Sequence, residues 1–281
     1  MTQQQEQIRE QQKSSWNKFS AGWKKWDELN MAFLRPIGDA IVASLEPRMA
    51  EHVLDVATGT GEPGLTIATK VTGGRVTGFD ISEGMIEVAR ENAAVRGIIN
   101  YKGMVGDVCD LPFPDNSFDK ISCRMGFMFF PDMLLAAKEM FRVLRPGGKL
   151  AVSVWSIPEN NFWVTAMMGT VRKHVELPPP VPGAPGIFRC ASPGFMKDLL
   201  QTAGLHDVQQ KEIEGEVEYE GPEHYWIVTN EIAAPLAAAM EKTSDEKKME
   251  IKEELFSLLE KYMREDSLAL HYEALILTGK K

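Results

Sequence analysis

Between Ser14 and Leu45 the apolar residues Trp16, Phe19, Trp23, Trp26, Met31, Phe33, Leu34, Ile37, Ile41, Val42 and Leu45 recur at helical spacing. With 3.6 residues per turn this puts them along one face, so the segment predicts one or two helices, with Pro36 starting the second. After residue 50 the period changes. Short apolar runs ending in Gly or Asp alternate with helical stretches: HVLDVATGTG, a helix from Gly64 to Lys70, RVTGFD, a helix from Ser82 to Arg96, and INYKGMVGD. FDKISCRMGF, a helix from Met133 to Leu144, a turn at 145–148 and KLAVSVW continue the series. Five strands within about 105 residues, joined by crossover helices, predict a parallel sheet.

Beyond Trp155 the alternation stops. A short helical segment leads into ELPPPVPGAPG, whose prolines and glycines predict a loop. A helix from Ser192 to Ala203, a strand in HDVQQKEIEGEVEYE and a helical segment from Glu223 to Arg264 follow, and LALHYEALILTGK reads as the last strand. The charged run TSDEKKMEIKEE reads as a solvated helix face. These elements predict one domain with 1–50 as an N-terminal helical cap, 51–155 as the core and 156–190 as an insert. Residues 191–220 and 265–281 then complete the sheet, and 221–264 form a helical insert.

Composition narrows the function classes. The 281 residues are 44% hydrophobic and 25% charged, ordinary for a globular chain that buries a sizeable core. A formal net charge of -9 disfavours a protein that grips a phosphate backbone, so nucleic acid is not an expected partner. Cys109, Cys123 and Cys190 are odd in number and widely spaced, which suits neither a disulfide framework nor a metal site. The polar N-terminus and the lack of a membrane-length apolar run make a cytoplasmic protein the expectation.

The chemistry starts at Gly59, Gly61 and Gly64, a GxGxxG between the first strand and the first core helix. Such glycines allow a tight turn and close approach of backbone amides to a ligand, which could be a dinucleotide or another nucleotide cofactor. The neighbouring carboxylates Asp55 and Glu62 would repel a pyrophosphate. S-adenosylmethionine carries a positive α-amino group and sulfonium, so Asp55 becomes the candidate for its amino-acid end. Asp80, at the end of the second strand, suits the two ribose hydroxyls. Asp107, at the end of the third, suits an adenine amino group, with Ile81 or Val108 against the ring.

VLDVATGTGEPG, GFDIS, GDVCDLPFPDNSFD and RVLRPGGKL, in this order and spacing, resemble the successive motifs of the class I S-adenosylmethionine-dependent methyltransferases. They are most similar to the ubiquinone/menaquinone C-methyltransferase-like small-molecule group. The resemblance covers residues 50–155 closely and the rest loosely, and specifies a superfamily without a substrate. It implies an α/β Rossmann-like methyltransferase fold: a mostly parallel seven-stranded sheet with an antiparallel last strand, helices on both faces, and a helical cap. It also implies methyl transfer from S-adenosylmethionine to a small-molecule acceptor by in-line displacement.

By the same resemblance, Asp55, Ala57, Thr58, Gly59, Thr60 and Gly61 surround the methionine moiety. Asp80 takes the ribose, Asp107 and Val108 take the adenine, and Arg124, Met125 and Gly126 lie near the sulfonium. Ala57 departs from the glycine of many members, and a negative φ there would accommodate it. Trp23, Trp26, Met128 and Phe129 are candidates to line the acceptor pocket, with Trp155 a weaker one, although such stripes are more often core. His174 and His224 are the two histidines in regions that would cover the pocket. The N-terminal helices, the loop after Trp155 and the helical insert are expected to form a lid. Alignment of the reacting groups needs no covalent residue, so no catalytic residue is named. Two alternatives stay open: a nicotinamide-dependent oxidoreductase, because of the literal GxGxxG, and a non-catalytic S-adenosylmethionine-binding protein.

Overall fold

The computed structural model describes residues 2–176, 183–232, 240 and 243–281. Residues 177–182 of the Pro-rich loop and part of the helical insert therefore lie outside the described residues. Thr2 opens the first helix with a capping box: its hydroxyl accepts from Gln5 N, and the Gln5 side chain accepts from Thr2 N. Helix α1 (Gln3–Lys25) gives way at Trp26 to α2 (Asp27–Leu45). The break thus falls ten residues before Pro36, which sits inside α2. A proline there loses one bond to the carbonyl of Ala32, and both residues are exposed, so water can take that carbonyl. The apolar stripe of α2 buries Ile37, Ile41 and Leu45 completely.

The remaining elements are β1 (His52–Val56), α3 (Gly64–Ala68), β2 (Arg75–Asp80), α4 (Glu83–Val95), β3 (Tyr101–Val105), β4 (Phe118–Arg124) and α5 (Met133–Val143). β5 (Leu144–Trp155), α6 (Phe162–His174), α7 (Phe195–Thr202), β6 (His206–Tyr219) and α8 (Pro222–Ile232) follow. Helix α9 (Asp245–Leu259), the two-residue β7 (Met263–Arg264) and β8 (Ser267–Lys280) complete the chain. The sheet order is β3-β2-β1-β4-β5-β8-β6, with β7 paired to β8 as an eighth strand. Strands β1 to β5 run parallel, and β8 runs antiparallel to both neighbours. The mostly parallel seven-stranded sheet with an antiparallel last strand is present, extended by the short β7.

Sequence order runs outward from β1 in two directions, through β2 to β3 and through β4 to β5. That reversal opens a crevice at the carboxyl ends of β1 and β4, the usual place for a ligand in an open α/β sheet. β1 is buried from Val53 to Val56, as a strand covered on both faces must be. Ser82 caps α4 by accepting from Met85 N, which stops β2 sharply after Asp80.

Candidate functional site

At the carboxyl ends of β1 to β4 lies a cavity of about 940 Å³. Its floor is the loop after β1. Thr58 N donates to Phe79 O of β2 and Gly61 N donates to Thr58 O, so the loop folds back on the sheet. Gly59 and Gly61 adopt φ of +54° and +115°. A Cβ on Gly61 would lie 2.6 Å from Leu65 Cδ1, and one on Gly64 2.8 Å from Asp55 Oδ2, so these two glycines serve packing within the loop. Gly59 faces the cavity. Ala57 adopts φ +52°, contrary to the expected negative value, and Met125 adopts +57°. A left-handed alanine costs on the order of 1 kcal/mol relative to glycine. Both residues line the cavity, so the strain is held at the site itself.

Asp55 is fully buried and does not line the cavity. Its carboxylate accepts from Thr58 Oγ1 (2.6 Å), Ser122 Oγ (2.6 Å) and Gly64 N (3.0 Å), so the chain itself supplies its partners. Asp55 thus lies beneath the loop, on the side of α3, rather than on the cavity surface. Burial pushes the carboxyl up to about 6, against the pull of the Ser122 and Thr58 hydroxyls.

Asp80 behaves differently. It lines the cavity, with Oδ2 accepting from Gly59 N (3.0 Å) and Oδ1 from Ser82 N (2.9 Å). The Ile81 amide also hydrogen-bonds the carboxylate. Burial raises its carboxyl above the ordinary range, opposed by those amides. Asp107 also lines the cavity. Its Oδ1 accepts from Cys109 N (2.9 Å), while the buried Oδ2 has no hydrogen bond and has the Arg9 guanidinium of α1 at 3.8 Å.

Glu62 Oε2 accepts from Thr66 N and Oε1 pairs with Arg96. The amides of Gly59, Gly64 and Thr66 are thus all taken by carboxylates of the chain. A pyrophosphate would have to displace these partners and sit among Asp80, Asp107 and Glu62, which the electrostatics oppose.

The roof is helical. α1 contributes Gln12, Trp16 and Trp23, and α2 contributes Met31 and Leu34. Trp16 meets Phe129 edge-on at 5.1 Å and Trp23 at 6.2 Å. Polar contacts pin α1 in place: Gln5 Nε2 donates to Asp132 Oδ2, Ser82 Oγ to Asn17 Oδ1, and Lys24 and Lys25 pair with Glu91 and Glu231.

Of the residues expected at the site, Ala57, Thr58, Gly59, Thr60, Asp80, Ile81, Asp107, Val108, Arg124, Met125, Gly126, Trp23 and Phe129 line this one cavity. Asp55, Gly61, Trp26 and Met128 do not. Trp26 donates Nε1 to Glu231 Oε2 (2.7 Å) and packs against His224 at 5.1 Å, because α1 ends there and turns the ring away. Met128 is fully buried in the core. Trp155 packs in an aromatic cluster with Phe33, Trp163 and Tyr272. Among the described residues neither the loop after Trp155 nor the helical insert reaches the cavity, so α1, α2 and the β4–α5 connection alone form its cover. His174 lies against Glu254 instead. Gln12, Trp16, Met31, Leu34 and Phe130 also line it and were not among the individually named candidates. Gln12, Trp16 and Trp23 share one helical stripe, a signal that would have found the first two.

Residues 53–148 match the model of the methyltransferase domain. A demethylmenaquinone methyltransferase of Listeria monocytogenes is 40% identical over 113 residues, which is 40% of this chain and 48% of that protein. The chain spans about half the length of the curated relatives it matches. Among solved structures, the YcgJ protein of Bacillus subtilis superposes with a TM-score of 0.57 at 20% identity, over 87% of this chain and 97% of that one. Haemonchus contortus phosphoethanolamine N-methyltransferase 2, in complex with phosphomonomethylethanolamine and S-adenosylhomocysteine, gives a TM-score of 0.53 at 18% identity, over 87% and 52%. Residues 53–148 therefore carry the match to a methyltransferase domain, and the chain as a whole has the Rossmann-like fold of the superposed structures.

Proposed function

We propose that this chain is an S-adenosylmethionine-dependent methyltransferase acting on a small, largely apolar acceptor. The observation that carries this is a pair of carboxylates at adjacent strand ends on one cavity, beside loop amides that are already taken. Asp80 ends β2 on the cavity, suited to two ribose hydroxyls, and Oδ2 of Asp107, which accepts no hydrogen bond and has the Arg9 guanidinium at 3.8 Å, suits the amino group of a purine. Ile81 and Val108 offer apolar surface for the ring, and Thr58 to Thr60 lie where the amino-acid end would rest. The residues present thus fit this cofactor and oppose a dinucleotide.

The cofactor, when bound, supplies an electrophilic methyl group on a positively charged sulfur. The chain's own residues orient and enclose. Asp80 and Asp107 hold the nucleoside at two fixed points, which limits the positions of the transferable methyl. Trp16, Trp23, Met31, Leu34, Phe129 and Phe130 cover the opposite side with apolar surface, which excludes water and receives an acceptor ring. No histidine or cysteine lines the cavity among the described residues, and in direct transfer the acceptor itself supplies the nucleophilic atom. The relatives' substrate and this aromatic cover make a quinol-type ring the first acceptor to test.

No helix among the described residues is long and apolar enough to cross a membrane, and the net charge is -9. Both features support a cytoplasmic enzyme of small metabolites rather than of nucleic acid. The test is calorimetric titration with S-adenosylhomocysteine and NADH, followed by incubation with methyl-labelled S-adenosylmethionine and a panel of naphthoquinols and phenols. Binding of S-adenosylhomocysteine alone and label on an apolar ring are the expected results. Binding without transfer to any acceptor would mark a cofactor-binding protein, and binding of NADH alone would restore the oxidoreductase.

A further inference from the structure

Behind the cofactor cavity lies a second one of about 810 Å³, and the two share Met31, Glu62 and Arg124. The first is walled mainly by apolar side chains. The second collects charge: Arg35 and Asp39 from α2, Arg96 after α4, Glu62 from the glycine loop, and Arg124 at the end of β4. Glu62 is engaged by Arg96 and by Thr66 N. Arg124 is not so provided for. Its Nη1 reaches Leu34 O at 3.5 Å, at the limit of a useful hydrogen bond, and its Nη2 reaches the weakly accepting Met31 Sδ at 3.6 Å. It forms no ion pair with a described residue. Burial presses its guanidinium below the ordinary value, with Glu62, Asp55 and Asp27 too distant to offset this. Arg35 makes no ion pair with a described residue either, and Asp39 stands as the opposing carboxylate.

A half-buried guanidinium with five donors, one long contact to a carbonyl and one to a thioether is an incomplete arrangement. Its natural complement is planar, anionic and bidentate. The sheet order adds direction: β3, β2, β1 and β4 place Asp107, Asp80, the glycine loop and Arg124 in a row, so Arg124 stands at the end opposite the base-binding carboxylate.

We propose that the second cavity is a carboxylate-binding site, with Arg124 as its inner cation and Arg35 as its outer one. Resting on the methyltransferase reading, the inference assigns this site to one of two carboxylates: that of the cofactor's own amino-acid end, or one carried by the methyl acceptor. An acceptor with an apolar ring and a carboxylate would span both cavities, the ring under Trp16 and Phe129 and the anion on Arg124.

The experiment is titration of wild type, Arg124→Gln and Arg35→Gln with S-adenosylhomocysteine and with 5′-methylthioadenosine, which lacks the amino-acid group. Benzoate is then titrated into the protein saturated with S-adenosylhomocysteine. If the carboxylate is the cofactor's, Arg124→Gln weakens S-adenosylhomocysteine roughly tenfold or more and leaves 5′-methylthioadenosine within about twofold. If it is the acceptor's, both nucleosides bind as in wild type, while benzoate binds the loaded wild type and is lost in Arg124→Gln. Arg35→Gln, on the exposed face of α2, keeps the test alive should Arg124→Gln unfold the chain, and weakens the same ligand about threefold. Equal weakening of both nucleosides, or no dependence of either nucleoside or benzoate on Arg124 and Arg35, overturns the carboxylate site. Failure of wild type to bind either nucleoside overturns the methyltransferase reading instead.

Discussion

The floor and the roof of the cofactor cavity are built on opposite principles. In the floor, Asp55 and Asp80 are buried, nearly every donor has an acceptor, and two non-glycine residues hold left-handed backbone. In the roof, α1 spans 23 residues and buries none of them. A floor closed by its own hydrogen bonds is preorganised and changes little when a ligand arrives. A helix held by scattered polar contacts can lift at small cost, because exposed ion pairs each contribute little. Recognition of a common nucleoside belongs to the rigid half, and choice of acceptor to the movable one.

The strongest way to break this contrast is truncation. Removing residues 1–25 should leave a folded protein whose affinity for S-adenosylhomocysteine falls less than about tenfold while methyl transfer drops by about two orders of magnitude or more. Removing residues 1–45 should abolish folding, because Ile37, Ile41 and Leu45 are fully buried and such losses of about 2–5 kcal/mol each exceed ordinary domain stability. Circular dichroism and calorimetry decide both. Equal loss of cofactor binding and transfer in the shorter deletion would make α1 part of the floor.

Next in size is the pH response of Asp55. Its folded carboxyl titrates at about 6 against an ordinary 3.8, so the native state binds the proton more tightly than the unfolded state. The group's contribution to stability is therefore full below the unfolded pKa and is lost as pH rises through about 6. Asp55→Asn removes this slope. Its urea-derived stability should gain on wild type by at most about 3 kcal/mol as pH rises from about 4 to 7, and parallel curves would remove Asp55 from the pH response.

Asp80→Ala deletes the acceptor for the Gly59 and Ser82 amides and for the proposed ribose hydroxyls. Affinity for S-adenosylhomocysteine should fall about 100-fold, near 2.7 kcal/mol, as calorimetry would record. Ala57→Gly relieves a left-handed alanine and should raise stability by about 0.5–1 kcal/mol in thermal or urea unfolding, whereas destabilisation would show that the loop exploits the methyl group. The smallest effect belongs to the roof: Lys24→Ala, at an exposed pair with Glu91, should change global stability by less than about 0.5 kcal/mol while quickening amide exchange along α1.

The floor was legible because its grammar is local. Asp80 ends β2 and Asp107 follows β3 by two residues, and the glycines sit where a parallel strand must turn into its helix. The partners of Asp55 were not legible, because Ser122 on β4 lies 67 residues away and nothing near Asp55 announces it. The side chains of the roof were harder still. Met128 and Phe129 are adjacent in a short 3₁₀ turn, and only the turn's rotation puts the first in the core and the second on the cavity. Trp26 continues the apolar stripe of α1 in sequence, yet the helix ends on it, so its ring leaves the stripe. Arg35, Arg96 and Arg124 belong to three elements, and only the packed sheet makes them neighbours.

The placement of β8 between β5 and β6 governs the order in which the sheet can assemble during synthesis. β6 precedes β8 in the chain, with α8, α9 and β7 between them, yet it pairs with no strand of the sheet except β8. At ribosomal speeds of roughly 5–20 residues per second, β6 waits for seconds as an unpaired strand. Its alternating Glu212, Glu214, Glu216 and Glu218 place like charges along one side of that strand, which keeps nascent copies from pairing with one another until the correct neighbour emerges.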